Sequence, residues 1–506
     1  LVFAVKSGEF EIDKKGLIKE VRHYRQNNER KIINEFIEFL SIPNVSADTK
    51  NIRKNALFIK EMMEKRGIEV KILETKGNPV VYGELNVPNA TQTLLFYVHY
   101  DGQPVEPSKW IDSLPFKPMI RKGKLEAGTT IPKPIQFSAI KGPINEEWRI
   151  YARGSSDDRA PIICYMAALD AINKSNIRLK NNLKFIFEGE EEAGSTNLRE
   201  CLVTNQKLLK SDILFMCDGP GYFSGDPTLF FGVRGIVSLQ VTVYGANTNL
   251  HSGHYGNWAP NPAMSLAKLL ASMKDDRGRV LIDGFYDTVV PLGEGEKKAL
   301  NNIPDFDDKL KSLYGFLTPE DPQKRLTHAI QQPSLNICGI RSGWVGNEAR
   351  TIVPSLATAS LDIRMVKGNE GSYMAKKVVD FIKKQGYFVT STEPTLQERL
   401  SHAKVAKVAL RESGYKAYRT SMDLPISRSV IKALYGYDSK TVMIPTLGGS
   451  LPISMFSEVL DIPVIGIPIA NYDNNQHQAN ENIRIGHLWK GIETFATIFM
   501  MGKAQK

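Results

Sequence analysis

Six short apolar runs lie ahead of residue 220: IEVKIL, PVVYGEL, TLLFYVHYD, WRIYARG, LKFIFEGE and DILFMCD. Segments with helical apolar spacing, such as PIICYMAALDAI, separate several of them. Short runs alternating with helices read as strands buried on both faces, which confines the chain to an α/β fold with a mostly parallel central sheet. The runs from QTLLFYV to DILFMCD are expected at its centre. Ahead of them, residues 28–41 and 50–66 carry the helical period, and Gly67 follows the second where a helix stop is wanted.

From about residue 230 the order changes to strand IVSLQVTVYG, helix NPAMSLAKLLASM, strands SLNICGI and LATASLDIRMV, helix GSYMAKKVVDFIKKQG and strand YFVTST. That is βαββαβ, the split-βαβ sandwich. A partly helical insertion over 276–333 interrupts it. After about 400 the first style returns in KTVMIPT and IPVIGIPIA. Because 506 residues exceed what one core usually supports, two units are expected. Residues 1–229 and 400–506 form the outer, catalytic one, and 230–399 form an inserted α+β unit.

The chemistry collects where apolar runs end. LLFYVHYDG delivers His99 and Asp101, RIYARGSSDD delivers Asp157 and Asp158, and KFIFEGEEEAG delivers Glu188, Glu190, Glu191 and Glu192. ILFMCDG adds Asp218, and IPIANYDNNQHQANE adds His477. In open α/β sheets, ligands bind beyond the carboxyl ends of the strands. One Asp after a strand is ordinarily a turn residue or a cap, but five such endings in one chain point to a site. Two imidazoles and several carboxylates without cysteine suit Zn2+ or a similar ion, and one carboxylate can bridge an ion pair about 3.5–4 Å apart. Two dications also relieve the repulsion among clustered acids. His99 and Asp101 are two apart, which in extended chain puts both on one face, so Asp101 can fix the imidazole tautomer. Glu191 and Glu192, as neighbours in extended chain, point to opposite sides and can divide metal binding from proton handling.

Composition excludes other classes. The formal charge of +10 comes from scattered Lys and Arg rather than a basic face, so nucleic acid is not an expected partner, although the surplus favours small anionic substrates. Cys164, Cys201, Cys217 and Cys338 lack metal or disulfide spacing and read as buried thiols. No run approaches the roughly 18–20 apolar residues of a membrane helix. A soluble protein is expected, and LVFAVKSGEF, which shows no complete signal architecture, leaves cytoplasm and export after processing both open.

In order, VHYDGQP, ARGSSDDRAP, EGEEEAGS, CDG, NLHSGHYG with the following NPA, and HQANE resemble the motifs of the aminoacylase, carnosinase and glutamate carboxypeptidase family of binuclear zinc hydrolases. EGEEEAGS, RTIVP, LDIRMV and GGSLPI resemble the carnosinase-like dipeptidases in particular. The resemblance implies a phosphorylase/hydrolase-like zinc exopeptidase catalytic domain with an inserted lid and dimerisation domain. It implies two Zn2+ per subunit, replaceable by Mn2+ or Co2+, with His99 and Asp218 on one, Glu192 and His477 on the other, and Asp157 between them. The Asp157–Asp158 peptide corresponds to one that is cis in relatives. Glu191 becomes the general base, and Asp101 supports His99. Arg364 and Ser450, with Thr351 close by, match positions that hold a substrate carboxylate. His251 corresponds to a residue that reaches a neighbouring subunit's site and stabilises the oxyanion, which implies a homodimer formed through the inserted domain; His254 competes for that role.

The implied reaction is amide hydrolysis in dipeptides or related small peptides with a free C-terminal carboxylate, by water activated between the ions. An N-acyl amino acid deacylase of the acetylornithine or succinyl-diaminopimelate type is the competing reading. A metal-free scaffold of the same fold should have lost ligand positions, and all five are kept.

Overall fold

Strand Thr93–His99 lies within an eight-stranded sheet of a computed structural model that describes residues 14–125, 131–137, 140, 142–411 and 414–503. The LVFAVKSGEF segment is outside the described residues. The sheet order is Glu69–Leu73, Val80–Leu85, Asn182–Glu188, Thr93–His99, Ile213–Met216, Val464–Gly466, Thr228–Phe230, Val442–Ile444. Asn182–Glu188, Thr93–His99, Ile213–Met216 and Val464–Gly466 run parallel to one another. The edge formed by Glu69–Leu73 and Val80–Leu85 is antiparallel, as the short connection between those two strands requires. The sheet is therefore mixed, with its parallel part where the site lies.

Alternation along Thr93–His99 sorts its side chains to two faces. Leu94, Phe96 and Val98 join one core, under helices Lys14–Leu40, Ala160–Lys174 and Ile485–Phe499. Leu95 and Tyr97 join another, under Leu198–Thr204 and Ile453–Leu460. Aromatic packing ties each layer to the strand: the rings of Phe96 and Phe499 lie 5.2 Å apart, and those of Tyr97 and Phe456 lie 4.9 Å apart.

Two strands fall elsewhere than expected. Arg149–Tyr151 is not in the large sheet; it joins a four-stranded antiparallel sheet between Asn482–Arg484 and Met119–Arg121. Its apolar run is only three residues long, which cannot distinguish the two sheets. In the second unit the sheet order is Ser334–Arg341, Leu356–Met365, Gly235–Tyr244, Val405–Arg411, Phe388–Thr390, with helices Pro262–Ala271 and Gly371–Lys384 packed on it. The position beside Gly235–Tyr244 is taken by Val405–Arg411, and the YFVTST strand lies parallel to it at the outer edge. The alternation in Val405–Arg411 is faint because Leu410 faces solvent.

Residues 276–333 span both layers. Ile282 and Phe285 are buried in the core of the second unit, whereas Ala299, Leu300 and Ile303 are buried against the large sheet. Of the thiols, Cys164, Cys201 and Cys217 are buried as expected, but Cys338 is exposed because its strand is the edge of the second sheet. No described helix is long and apolar enough to cross a membrane.

Candidate metal centre

Neighbouring parallel strands bring the acids and imidazoles to one edge. Thr93–His99 ends on His99, and Ile213–Met216 beside it runs into Asp218. On its other side Asn182–Glu188 leads into a single 3-10 turn, Glu191–Ala193. Asp157 arrives from the small sheet, whose strand Asn482–Arg484 pairs with Arg149–Tyr151 and so carries the His477 loop to the same place. His99 Nε2 lies 3.2 Å from Asp157 Oδ1 and 3.8 Å from Asp218 Oδ2. His477 Nε2 lies 3.1 Å from Asp157 Oδ2 and 3.4 Å from Glu192 Oε2. The two oxygens of Asp157 thus face different imidazoles. The Asp157–Asp158 peptide is cis.

Some local expectations need correction. Glu191 and Glu192 diverge through a helical turn rather than in extended chain. Asp101 lies beyond the end of the His99 strand, and its carbonyl, at 3.2 Å, is nearer His99 Nδ1 than its carboxylate, at 3.5 Å. That carboxylate instead accepts the N–H groups of Glu191 at 3.1 Å and Glu192 at 3.0 Å, so it orients the turn as well as the imidazole. Of the four glutamates, Glu190 pairs with Asn197, and buried Glu188 accepts from the Tyr97 hydroxyl at 2.6 Å.

Gln103 and Glu481, which the sequence did not single out, join the site, and Asp158, expected only as a neighbouring acid, takes a place among the donors. Gln103 donates to Glu192 Oε2 at 2.8 Å. Asp158 has a carboxylate oxygen clustered with donor atoms of His99 and Asp218, all within 4.8 Å of one another; a second cluster joins His99, Asp157 and Glu192. Glu481, fully buried in HQANE, accepts from Arg153 Nη1 at 2.8 Å, Gly154 N at 3.0 Å, Ser156 N at 2.9 Å, Ser156 Oγ at 3.0 Å and Asp157 N at 3.0 Å. Gly154, at φ 77°, occupies backbone space that glycine enters freely. A carboxylate that gathers so many donors holds Asp157 in place. Glu481→Gln turns one acceptor into a donor facing donors and leaves Arg153 uncompensated. We expect a loss of about 3–5 kcal/mol in stability, read by denaturant unfolding.

The electrostatics describe a place built for cations. Burial alone would depress the His99 imidazole, but Asp101, Asp157 and Asp218 outweigh it and hold its pKa well above the ordinary value. Burial opposes ionisation of Asp157 too, yet His477 and His99 keep it well below the carboxylate range. Burial, with neighbouring acids adding to it, pushes Asp218 up to about 6 and Glu192 up to about 7, and raises Asp158 and Glu191 well above the usual range. Asp157 Oδ2 and Asp158 Oδ2 are buried and accept no aligned hydrogen bond; the approach of His477 to the first is an ion-pair contact. Imidazoles, carboxylates and unsatisfied lone pairs without thiolate fit Zn2+, Mn2+ or Co2+.

Residues assigned to substrate fall in two places. Arg364 Nη1 donates to Ser450 Oγ at 3.0 Å, joining the second unit to the first. The loop carrying Ser450 lies near the centre, since Leu447 sits against Gly219, the residue after Asp218. Thr351 is not beside them: its carbonyl accepts from Ser252 N at 3.0 Å, next to His251, whose strand pairs with Ile352. His251 is exposed, and its Nδ1 accepts from Gly253 N at 3.1 Å, which leaves Nε2 as the proton-bearing nitrogen of the neutral ring. The His254 ring lies 4.6 Å from it. Among the described residues, no contact joins either imidazole to the carboxylate cluster.

On an α/β sheet with a second, α+β unit, such a centre is that of a metal-dependent hydrolase. The sequence agrees at family level: residues 95–501 match the profile of Peptidase family M20/M25/M40, and the chain belongs to this family. It is 26% identical over 479 residues to a Cys-Gly metallodipeptidase of Saccharomyces cerevisiae, covering 90% of this chain and 92% of that one. It is also 26% identical over 430 residues to the Beta-Ala-His dipeptidase of Homo sapiens, covering 83% and 77%. Among solved structures, an M20 family metallo-carboxypeptidase from Sulfolobus solfataricus matches with a TM-score of 0.70 and 30% identity, over 93% of this chain and 98% of the other.

Proposed function

We propose that the protein is a binuclear metal-dependent dipeptidase, hydrolysing the amide bond of dipeptides or related small peptides that end in a free carboxylate. The observation that carries this reading is Asp157, whose two oxygens face His99 and His477 at 3.2 and 3.1 Å. His99 and Asp218 would hold one ion, Glu192 and His477 the other, and Asp157 both. When bound, the ions supply Lewis acidity and lower the pKa of a bound water toward about 7. Glu191, outside both donor clusters, takes the proton of the attacking water and returns it to the leaving nitrogen. Arg364 and Ser450 receive the terminal carboxylate and fix the direction of the peptide. That selection, with the dipeptidase names of the relatives, favours a dipeptidase over an N-acyl amino acid deacylase. A panel of dipeptides and N-acetyl amino acids, assayed with metal analysis, tests the choice; faster turnover of the acetylated acids would overturn it.

Arg364→Ala is expected to raise KM for a free-acid dipeptide by about 10- to 100-fold, equivalent to about 1.4–2.8 kcal/mol, with a small effect on kcat. Its C-terminal amide should be nearly unaffected. Steady-state kinetics on the two substrates reads both effects.

The same reading divides the chain into a catalytic unit, 1–229 with 400–506, and an inserted unit, 230–399. Val405–Arg411, which pairs with Gly235–Tyr244, supports reading the second border as falling after that strand rather than at residue 400. A homodimer through the inserted unit belongs to it as well. Its edge strand Ser334–Arg341 leaves Ile337 and Ile340 exposed, and Val345 is exposed on the loop that follows. An uncovered apolar edge of this kind suits a second copy. His251 and Thr351, neighbours on one exposed ribbon, would enter the partner's site together.

A further inference from the structure

Arg234 stands between strands Gly232–Val233 and Gly235–Tyr244, where the chain passes from the first unit to the second. Its main-chain N–H donates to Leu447 O at 3.3 Å and Gly449 O at 3.1 Å, and Val233 bridges to Leu447. These contacts hold the loop that carries Ser450. Its side chain turns the other way: Nη2 donates to Gln332 O at 2.9 Å and Ser334 Oγ at 2.8 Å, with a longer contact of 3.5 Å to the Arg364 carbonyl. Ser334 and Arg364 are register partners, so the guanidinium is fixed against the strand that carries Arg364.

This guanidinium is buried, at 7% exposure, and among the described residues no carboxylate pairs with it. Its Nε has no acceptor. Burial first, and then the charge of Arg364, pull its pKa down to about 10, while Asp362 acts in the opposite direction. A buried cation set beside a second cation, with no described carboxylate in contact and only Asp362 acting on it through space, is costly to keep.

Resting on the reading that Arg364 and Ser450 take the substrate carboxylate, we infer that Arg234 is a positioning and specificity residue of that subsite. Its main chain sets Ser450, its side chain sets the strand of Arg364, and its charge, which no described carboxylate contacts, makes the pair selective for an anion. The substrate class it favours is a peptide with an ionised carboxyl end, against amides and esters of the same sequence.

The test compares Arg234→Gln, Arg234→Lys and Arg364→Met in the metal-loaded full chain, on a dipeptide and its C-terminal amide. Arg234→Gln is expected to raise KM for the acid about tenfold with kcat within about twofold, leaving KM for the amide unchanged. Arg234→Lys, which keeps the charge, is expected to fall between Arg234→Gln and wild type. Equal shifts for acid and amide, no shift, or a loss confined to kcat overturns the inference. So does failure of both Arg234 variants to fold with metal, which makes the residue purely structural. Arg364→Met separates the two ideas. If it leaves the preference for the acid intact, the carboxylate reading itself fails; if it abolishes the preference while Arg234→Gln does not, only the inference about Arg234 fails.

Discussion

Glu191→Gln protein is expected to keep its metal complement and its fold while kcat falls by a factor of about 100 to 10,000. Glutamine matches glutamate in shape but cannot take a proton from water at neutral pH. Its effect on binding is expected to be small, because Glu191 belongs to neither cluster of candidate metal donors. The turn should also survive, since Asp101 holds it through the main-chain N–H groups of residues 191 and 192, which the substitution leaves in place. Elemental analysis beside steady-state kinetics checks both halves. Wild-type turnover would remove Glu191 from the mechanism, and loss of an ion would make it a ligand instead.

The second large effect concerns His251. If it stabilises the oxyanion, His251→Ala should cost about 2.7–4 kcal/mol in the transition state, or about 100- to 1,000-fold in kcat. On the proposed reading its work lies in another copy of the chain, which its exposure permits. Mixing His251→Ala and Glu191→Gln proteins therefore gives a sharper result than either alone. In a hybrid dimer, one site combines an intact Glu191 with the His251 of the other subunit. Random exchange of equal amounts should restore about a quarter of wild-type activity. No recovery, with exchange shown by an independent label, would place His251 in its own subunit's site or outside the reaction.

The large sheet was legible because strands buried on both faces leave continuous apolar runs. TLLFYVHYD and ILFMCDG also show directly which residues follow the strand ends. The sheet that Arg149–Tyr151 joins is not legible in the sequence, because three residues carry too little pattern to tell neighbours apart. Val405–Arg411 is hidden in the sequence for a related reason: with Leu410 outward, its period is blurred. The approach of His99, Asp157, Glu192, Asp218 and His477 followed from their positions after strands and from motif order. Glu481 did not, although it closes a quoted motif, because its role depends on donors more than 320 residues earlier. Thr351 was expected beside Arg364 but lies beside His251, a distinction set by the pairing of short ribbons rather than by composition.

The clamp between Glu481 and the loop of Asp157 also orders events in time. Ribosomes release the amino end first, so Asp157 emerges long before the carboxylate that fixes it and before His477. A nascent peptide therefore cannot bring His99, Asp157, Glu192, Asp218 and His477 together, with Glu481 on the Asp157 loop, until residue 481 has left the ribosome. On the proposed reading, hydrolysis is thus withheld until the segment around residues 477–481 has been translated.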